Sequence, residues 1–344
     1  MMIKRSISRS LPPVALFAVR TARWQIAKAR SNMLASIPCA LDGHLSELPP
    51  AFVIGCGRSG TTALGRALGT SPSLHYFFEP IDRWHAVSSV TDYGEFFTPG
   101  VSRCSLAAAD VDERLRMRFR RVFRSALVDG RQMVEKTPIN AMRIPFLEAI
   151  DPRTKYVEIR RDGVDVVRSI IQISRMNDYR IAGRGTANRW WGPRDCKWKS
   201  LSRDVRAFGI ESDFLVPSAE YSTRAAIEWI ASLKAVERAS ADLGDRLLRI
   251  DYRDLTERPR RTLERIAAFL GVASGDWIDR ASGDLRLSTR RNGLPLVLPG
   301  AIANRLNSWN ERMGFTGRAI EGPHLAGFTT ECQRSERPRG KRRA

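Results

Sequence analysis

Short apolar runs alternate along the chain with longer stretches of helical period. "AFVIG" (51–55) opens the folded body as an apolar run of strand length leading into a glycine loop, set off from what precedes it by Pro49-Pro50. "LHYFF" (74–78), "QMVEK" (132–136), "KYVEIR" (155–160) and "RLLRI" (246–250) read as four further strands. Helices are predicted between them. The first covers Thr61–Gly69 and stops at the Gly-Thr-Ser-Pro that follows. The next covers 110–130, with Leu115, Phe119, Val122 and Leu127 inward; others fall around 140–150 and over 162–176, 222–244 and 258–272. Strands separated by helices predict an α/β fold with a central parallel sheet covered on both faces. Residues 177–215, rich in Arg, Gly and Trp, show no period and are expected to run as a long excursion over the body.

The pattern changes at the two ends. Residues 1–30 carry seven Lys and Arg and no acid, and 331–344 carry six against two acids. Residues 1–48 are expected to form a basic extension, partly an amphipathic helix. Val19, Ala22, Ile26, Ala29, Met33 and Ile37 share one stripe of it, with Arg20, Arg23 and Arg30 on another face. Such a helix either packs on the body or lies on an anionic membrane, a peripheral contact through residues 1–37. "LPPVALFAV" (11–19) is too short to span a bilayer, and no convincing cleavage site makes it a signal peptide. Residues 321–344 are expected to be a disordered basic tail. With both ends set aside, the net charge of +20 leaves a moderately basic body, which suits an anionic ligand. Five cysteines without a C-x-x-C pair give no disulfide framework and point to a reducing, cytoplasmic compartment. Four scattered histidines make no metal site.

The sharpest chemistry lies in "GCGRSGTT" (55–62), where the first strand turns through glycines into a helix. Such a turn aims backbone N–H groups and a helix dipole at one point, which favours phosphate. Thr61 and Thr62 add hydroxyls, and Arg58 adds charge and a planar fork of donors. Gly55 and Gly60 have the spacing of a nucleotide-binding P-loop, but Thr61 stands where that loop places its lysine. The domain is therefore P-loop-like, and the missing lysine argues against a nucleotide kinase or triphosphatase.

This loop resembles the one with which sulfotransferases hold the 5′-phosphosulfate of 3′-phosphoadenosine-5′-phosphosulfate (PAPS). The resemblance implies Gly57, Arg58, Ser59, Gly60, Thr61 and Thr62 as its cradle. "EIRRDGVDVVRS" (158–169) resembles the same family's 3′-phosphate motif and implies Arg161 and Ser169 as its ligands. Gly163 stands where the family has Pro, which is expected to loosen the turn without removing either ligand. The block 228–272 is similar to the family's C-terminal segment, but Tyr252-Arg253-Asp254-Leu255 has Arg where the family has Glu, so no catalytic role is expected there. "NRLNSWNERMG" (304–314) resembles the family's closing Trp helix. Most of 51–315 is covered, which implies one α/β domain over 49–320.

Sulfuryl transfer needs a base for the acceptor hydroxyl, in-line attack, and charge against the departing bridging oxygen. Arg58 at the loop position resembles the carbohydrate and tyrosylprotein branches more than the cytosolic small-molecule branch. By that resemblance Glu79, in "LHYFFEP", is the base and Lys136, in "VEKTPIN", sits by the bridging oxygen. His75 and His85 compete with Glu79. If the strand is regular, His75 shares a face with Phe77 and Glu79. Arg290 and Arg291 are candidates to close over the 3′-phosphate or adenine. The implied protein is a metal-free, PAPS-dependent O-sulfotransferase acting on a carbohydrate or glycolipid hydroxyl, with protein tyrosine as the alternative acceptor. A basic nucleic-acid-binding protein is the rival from another class, and nucleic acid is not expected. "RWWGPRDCKWKS" (189–200) is the one stretch that would serve it, and it fits an acceptor-site lid equally well.

Overall fold

The computed structural model describes residues 13–38, 48–128, 130–177, 179–180, 186–285 and 295–322. Five strands form its central sheet: β1 Ala51–Ile54, β2 Leu74–Phe78, β3 Gln132–Lys136, β4 Lys155–Arg160 and β5 Leu247–Asp251. Their order is β2-β3-β1-β4-β5, and every pairing is parallel. β1 sits centrally and is buried on both faces, as its unbroken apolar run requires. Its side chains alternate. Phe52 and Ile54 join one core with Trp84, Phe119 and Tyr156, while Ala51 and Val53 join another with Leu64, Leu263 and Ile266.

The described helices used below are α1 Pro13–Ser36, α2 Thr61–Leu68, α3 Ile81–Val87, α4 Glu113–Val128, α5 Ile144–Ile150, α6 Gly163–Ser174, α7 Cys196–Asp204, α8 Tyr221–Leu243, α9 Tyr252–Glu257, α10 Pro259–Leu270, α11 Asp276–Asp284 and α12 Gly300–Arg312. α2, α10 and α11 cover one sheet face; α3, α4, α5 and part of α8 cover the other. The architecture is thus α/β, with a central five-stranded parallel sheet flanked by helices. Phe78 is in register with Lys136, and Arg160 with Asp251, so the carboxyl ends of the strands meet at one edge. The chain leaves β1 toward β2 on one side and later places β4 on the other. β1 is therefore the switch point, where α/β sheets bind ligands.

Two expectations need correction. Residues 189–215 are not a surface excursion: Trp191, Trp198, Leu201, Val205 and Phe208 are buried in a third core with Trp229 and Ile230 of α8. The N-terminal half of α8, from Thr223 to Leu233, is buried all round and needs cover that the sheet alone does not provide. The second concerns α1. It packs on α3 and α4, with Ser31 donating to Asp82 of α3 and Ala35 buried, and Trp24 places its ring 5.3 Å from that of Phe96 in the segment between those two helices. The stripe of Val19, Ile26, Met33 and Ile37 points outward instead. The buried face is the smaller, more polar one, because Asp82 and the Phe96–Phe97 pair offer it specific partners. The side chains of Arg20 and Leu127, the whole of Arg290 and Arg291, and residues 1–12 and 323–344 at the two ends lie outside the described residues. Among the described residues no helix is long and apolar enough to cross a membrane.

Candidate active site

The loop after β1 is shaped by what approaches it. Gly60 has φ 102°, and a Cβ there would stand 2.3 Å from the ring of Tyr252. At Gly57 a Cβ would stand 2.5 Å from the indole of Trp190. Arg58 is left-handed without being glycine, with φ 73°, a conformation that costs roughly 1 kcal/mol or more and clusters at functional sites. Ser59 N–H donates to the Cys56 carbonyl at 3.2 Å, and Leu64 N–H to the Gly60 carbonyl at 3.0 Å, which starts α2. Ser59 and Thr61 are buried, whereas Arg58 is exposed.

Arg58, Arg161 and Ser169 converge. Arg58 Nε donates to Ser169 Oγ at 3.0 Å, and Arg161 Nη1 donates to the Arg58 carbonyl at 3.3 Å. Arg161 also pairs with Asp165 at 3.5 Å and lies 4.6 Å over the ring of Tyr252. Its Nε is buried and has no hydrogen-bond partner. A buried guanidinium N–H left unsatisfied is costly unless an anion completes it. Tyr252 therefore braces both Gly60 and Arg161, a role that the Tyr-Arg-Asp-Leu segment did not reveal.

The turn at Gly163 is not loosened. Gly163 N–H donates to Asn310 Oδ1 at 2.8 Å, and Asn310 Nδ2 donates to Asp162 Oδ1 at 3.1 Å. Asp162 Oδ1 also accepts from Val164 N–H at 2.9 Å as the cap of α6, and Oδ2 accepts from Gly317 N–H at 2.8 Å. Proline has no N–H to give Asn310. The glycine belongs to a network that ties α12 to the start of α6.

On the other side of the loop stands Lys136. Its side chain is 0% exposed, and Nζ donates to Thr62 Oγ1 at 3.0 Å and to Glu79 Oε1 at 2.5 Å. Nζ lies 4.3 Å over the ring of Phe78. Burial pulls the Lys136 ammonium below the usual lysine range, and the Glu79 carboxylate opposes that. Glu79 keeps 30% of its side chain exposed and has φ 38°, held by its N–H donating to the Lys136 carbonyl. That bend takes Glu79 out of the alternation of β2. His75 shares its face with Phe77, 4.6 Å between ring centres, but not with Glu79. His75 bonds Arg131 at 3.1 Å and lies at the opposite end of β2 from Phe78, which is in register with Lys136. His85 bonds Thr98 at 2.8 Å on α3, and burial lowers its pKa.

Behind Lys136 lies a second buried acid. Glu135 Oε1 accepts from Trp84 Nε1 at 3.1 Å and from the Thr137 hydroxyl; Oε2 accepts from Asn140 Nδ2 at 2.9 Å. Burial pushes its pKa up to about 7 despite these donors. Glu135 thus joins α3, which follows Glu79, to the segment that follows Lys136.

Beyond Glu79 opens a cavity of about 160 Å³. Tyr93, Phe96 and Trp190 give it aromatic walls, with Ile139, Asn188, Lys197 and Glu228 around them. Lys197 and Glu228 form a buried ion pair at 2.7 Å; Glu228 also accepts from Trp190 Nε1 at 2.8 Å, and Lys197 Nζ lies 4.0 Å over the Trp190 ring. Trp190 therefore separates the loop at Gly57 from this cavity. Trp190 and Lys197 fall in the 189–200 stretch expected to suit an acceptor-site lid, but Tyr93, Lys197 and Glu228 were not singled out as residues. The one signal was Glu228, a carboxylate inside the apolar stretch of α8. Among the described residues no cluster of three or more His, Cys, Asp and Glu is arranged to hold a metal ion.

Residues 49–208, a little under half of the chain, match the model of the sulfotransferase family. The loop 55–62, Glu79, Lys136, Arg161 and Ser169 all fall within the matched residues. No curated protein matches the chain. Among solved structures it is similar to the sulfotransferase domain of the Synechococcus PCC 7002 olefin synthase, 18% identical, over 81% of this chain and 99% of that one, TM-score 0.48. It is also similar to the sulfotransferase domain of the curacin biosynthetic pathway, 14% identical, over 79% and 99%, TM-score 0.47. A sulfotransferase of Mycobacterium tuberculosis H37Rv is 17% identical over 86% of each chain, TM-score 0.45.

Proposed function

We propose that the protein is a PAPS-dependent O-sulfotransferase. The observation that carries this reading is the junction of Arg58, Arg161 and Ser169 beside the Lys136–Glu79 pair, with Arg161 Nε buried and unpartnered. The residues fit an adenosine phosphosulfate. Gly57, Arg58, Ser59, Gly60, Thr61 and Thr62 would hold its 5′-phosphosulfate, and Arg161 and Ser169 its 3′-phosphate. The donor supplies the sulfuryl group. Glu79 accepts the proton that the acceptor hydroxyl loses, and Lys136 holds positive charge where the bridging oxygen departs. In the resting protein these two groups neutralise each other, so each is released for its task only when a substrate takes over part of the pairing.

The acceptor we infer is a carbohydrate or glycolipid hydroxyl, as in the carbohydrate branch with its Arg58-type loop. The cavity beside Glu79 supports this, since aromatic walls with polar corners suit a sugar ring. The same walls suit the phenol of protein tyrosine, which stays the second reading. We assign this chemistry to a domain over 49–320, with 1–48 and 321–344 outside it. A cytoplasmic setting fits Cys56, Cys104 and Cys196, which are buried and unpaired.

Ligand-dependent melting tests the donor assignment. Adenosine 3′,5′-bisphosphate is expected to raise Tm more than AMP or ATP, by linkage to binding. Equal shifts with all three would overturn it. Transfer of labelled sulfate from PAPS in EDTA, to sugars and tyrosyl peptides in parallel, then reads the acceptor class and the absence of a metal requirement.

A further inference from the structure

α1 has two apolar faces, and only one is used by the body. Trp24, Ser31 and Ala35 face inward. Val19, Ile26, Met33 and Ile37 face outward, 38%, 66%, 54% and 44% exposed, with exposed Ala22 and Ala29 between them. Nine large apolar side chains are exposed among the described residues, and four of them lie on this one stripe. A helix packed only on its own domain places polar residues there. From Val19 to Ile37 the stripe runs about 27 Å along one side of the helix.

We propose that this stripe lies on an anionic lipid surface and holds the acceptor cavity close to it. Charge selects the occupant. Exposed Arg23 and Arg30 flank the stripe, α1 contains no Asp or Glu, and neighbouring α4 carries six Arg against one Glu. A second copy of this chain is the other candidate, because the three-four spacing of Val19, Ala22, Ile26, Ala29 and Met33 is that of a helix–helix seam. Two copies would bring arginines together with no carboxylate on α1 to pair them. Anionic headgroups meet the same arginines with complementary charge, and the apolar stripe enters the acyl boundary.

The inward face of α1 gives this contact a purpose. Trp24 packs on Phe96, which lines the cavity beside Glu79, and Ser31 donates to Asp82 on the helix that follows Glu79. The cavity wall is therefore about one helix diameter, roughly 10 Å, from the lipid-facing stripe. That geometry favours an acceptor hydroxyl carried on a lipid. This last step rests on the proposed sulfotransfer; the docking itself does not.

Co-sedimentation of the full chain with vesicles tests the docking. Equimolar phosphatidylcholine–phosphatidylglycerol vesicles are expected to bind it roughly tenfold or more tightly than pure phosphatidylcholine at about 0.1 M salt, with binding weakened by added salt. Ile26→Asp with Met33→Asp changes only exposed side chains, so the melt with adenosine 3′,5′-bisphosphate should match wild type while vesicle binding is lost. Arg23→Glu with Arg30→Glu should abolish the preference for anionic vesicles. Docking is overturned if the wild type ignores anionic vesicles, if the double-Asp variant binds them as well as wild type, or if the stripe instead holds a dimer that this variant splits. Vesicle binding without any bisphosphate shift would sink the sulfotransfer reading and leave the docking standing. With both present, transfer to a vesicle-borne glycolipid should fall about tenfold or more in the double-Asp variant, and transfer to a soluble sugar should not.

Discussion

The crevice at Arg58, Arg161 and Ser169, assigned above to the donor, and the cavity beside Glu79, assigned to the acceptor, share a border at Gly57 and Trp190, yet they are built by opposite means. The crevice comes from short sequence: a six-residue loop, and an arginine and a serine eight residues apart on a strand end and the next helix. The cavity joins Glu79, Tyr93, Trp190, Lys197 and Glu228, which lie up to 149 residues apart and meet only through tertiary packing. On the proposed reading, a ligand common to a whole class of reactions would be held by backbone and local motif, while the variable partner would meet a wall assembled from afar. The donor half should then respond to mutation as charge and hydrogen bonds do, and the acceptor half as packing does.

The largest expected effect lies at the border of the two. Glu79→Gln keeps shape but cannot take a proton, so transfer should slow by roughly 10²–10⁴ with bisphosphate binding little changed. His75→Ala should leave transfer near wild type, because His75 stands at the far end of β2 with Arg131. The reverse pattern would move the base to His75 and break the assignment of the acceptor side.

Glu135 gives the next effect, in stability. Its carboxyl titrates near 7 in the fold and about 4.5 unfolded, so the native state holds the proton longer. Stability from this group is full below about pH 4.5, falls as pH rises toward 7, and is flat above; the loss is on the order of 3 kcal/mol. Glu135→Gln should remove this fall, read as the wild-type-minus-variant difference in urea midpoints from pH 4.5 to 8. A pH-independent difference would show that Glu135 is ionised in the fold.

Arg161→Ala should cost roughly 1.5–3 kcal/mol of bisphosphate binding, the loss of a charged hydrogen bond. The discrimination against AMP should go with it. If AMP and the bisphosphate weaken equally, Arg161 does not read the 3′-phosphate.

What the chain revealed in advance follows the same division. β1 was legible as an unbroken, fully buried apolar run, whereas β2 to β5 carry polar and charged residues and were legible as short β-prone runs set between helical stretches and turn signals; the spans of β2, β3 and β4 match, and that of β5 to within one residue. The placing of Arg161 at a strand end and Ser169 in the next helix was legible from their spacing, whereas the bonds that bring Arg58 to Ser169 and Arg161, more than 100 residues along the chain, are made by tertiary packing and were not. Lys197 and Glu228 were not, since each reads as a solvated charge until a second helix buries it. α1 shows a third kind of limit. Its period was correct, but period does not say which face the body takes. Asp82, Phe96 and Phe97, far along the chain, chose the Trp24 face.

The smallest effect tests the one departure from the donor motif. Proline at position 163 suits the first turn of a helix, and the sulfotransferase motif that this segment resembles has it there. Here Gly163 N–H bonds Asn310 at 2.8 Å, and a Cβ would stand 2.8 Å from the ring of Trp229. Gly163→Pro should therefore destabilise the protein by about 1–3 kcal/mol, through a buried Asn310 left partly unpaired and a displaced indole. In an Asn310→Ala background the hydrogen-bond part of that cost disappears and only the steric part stays. The coupling between the two substitutions, read from urea midpoints, should be about 0.5–1.5 kcal/mol. Strict additivity would mean that α12 does not hold this turn, and that the glycine is tolerated for the space it leaves Trp229 alone.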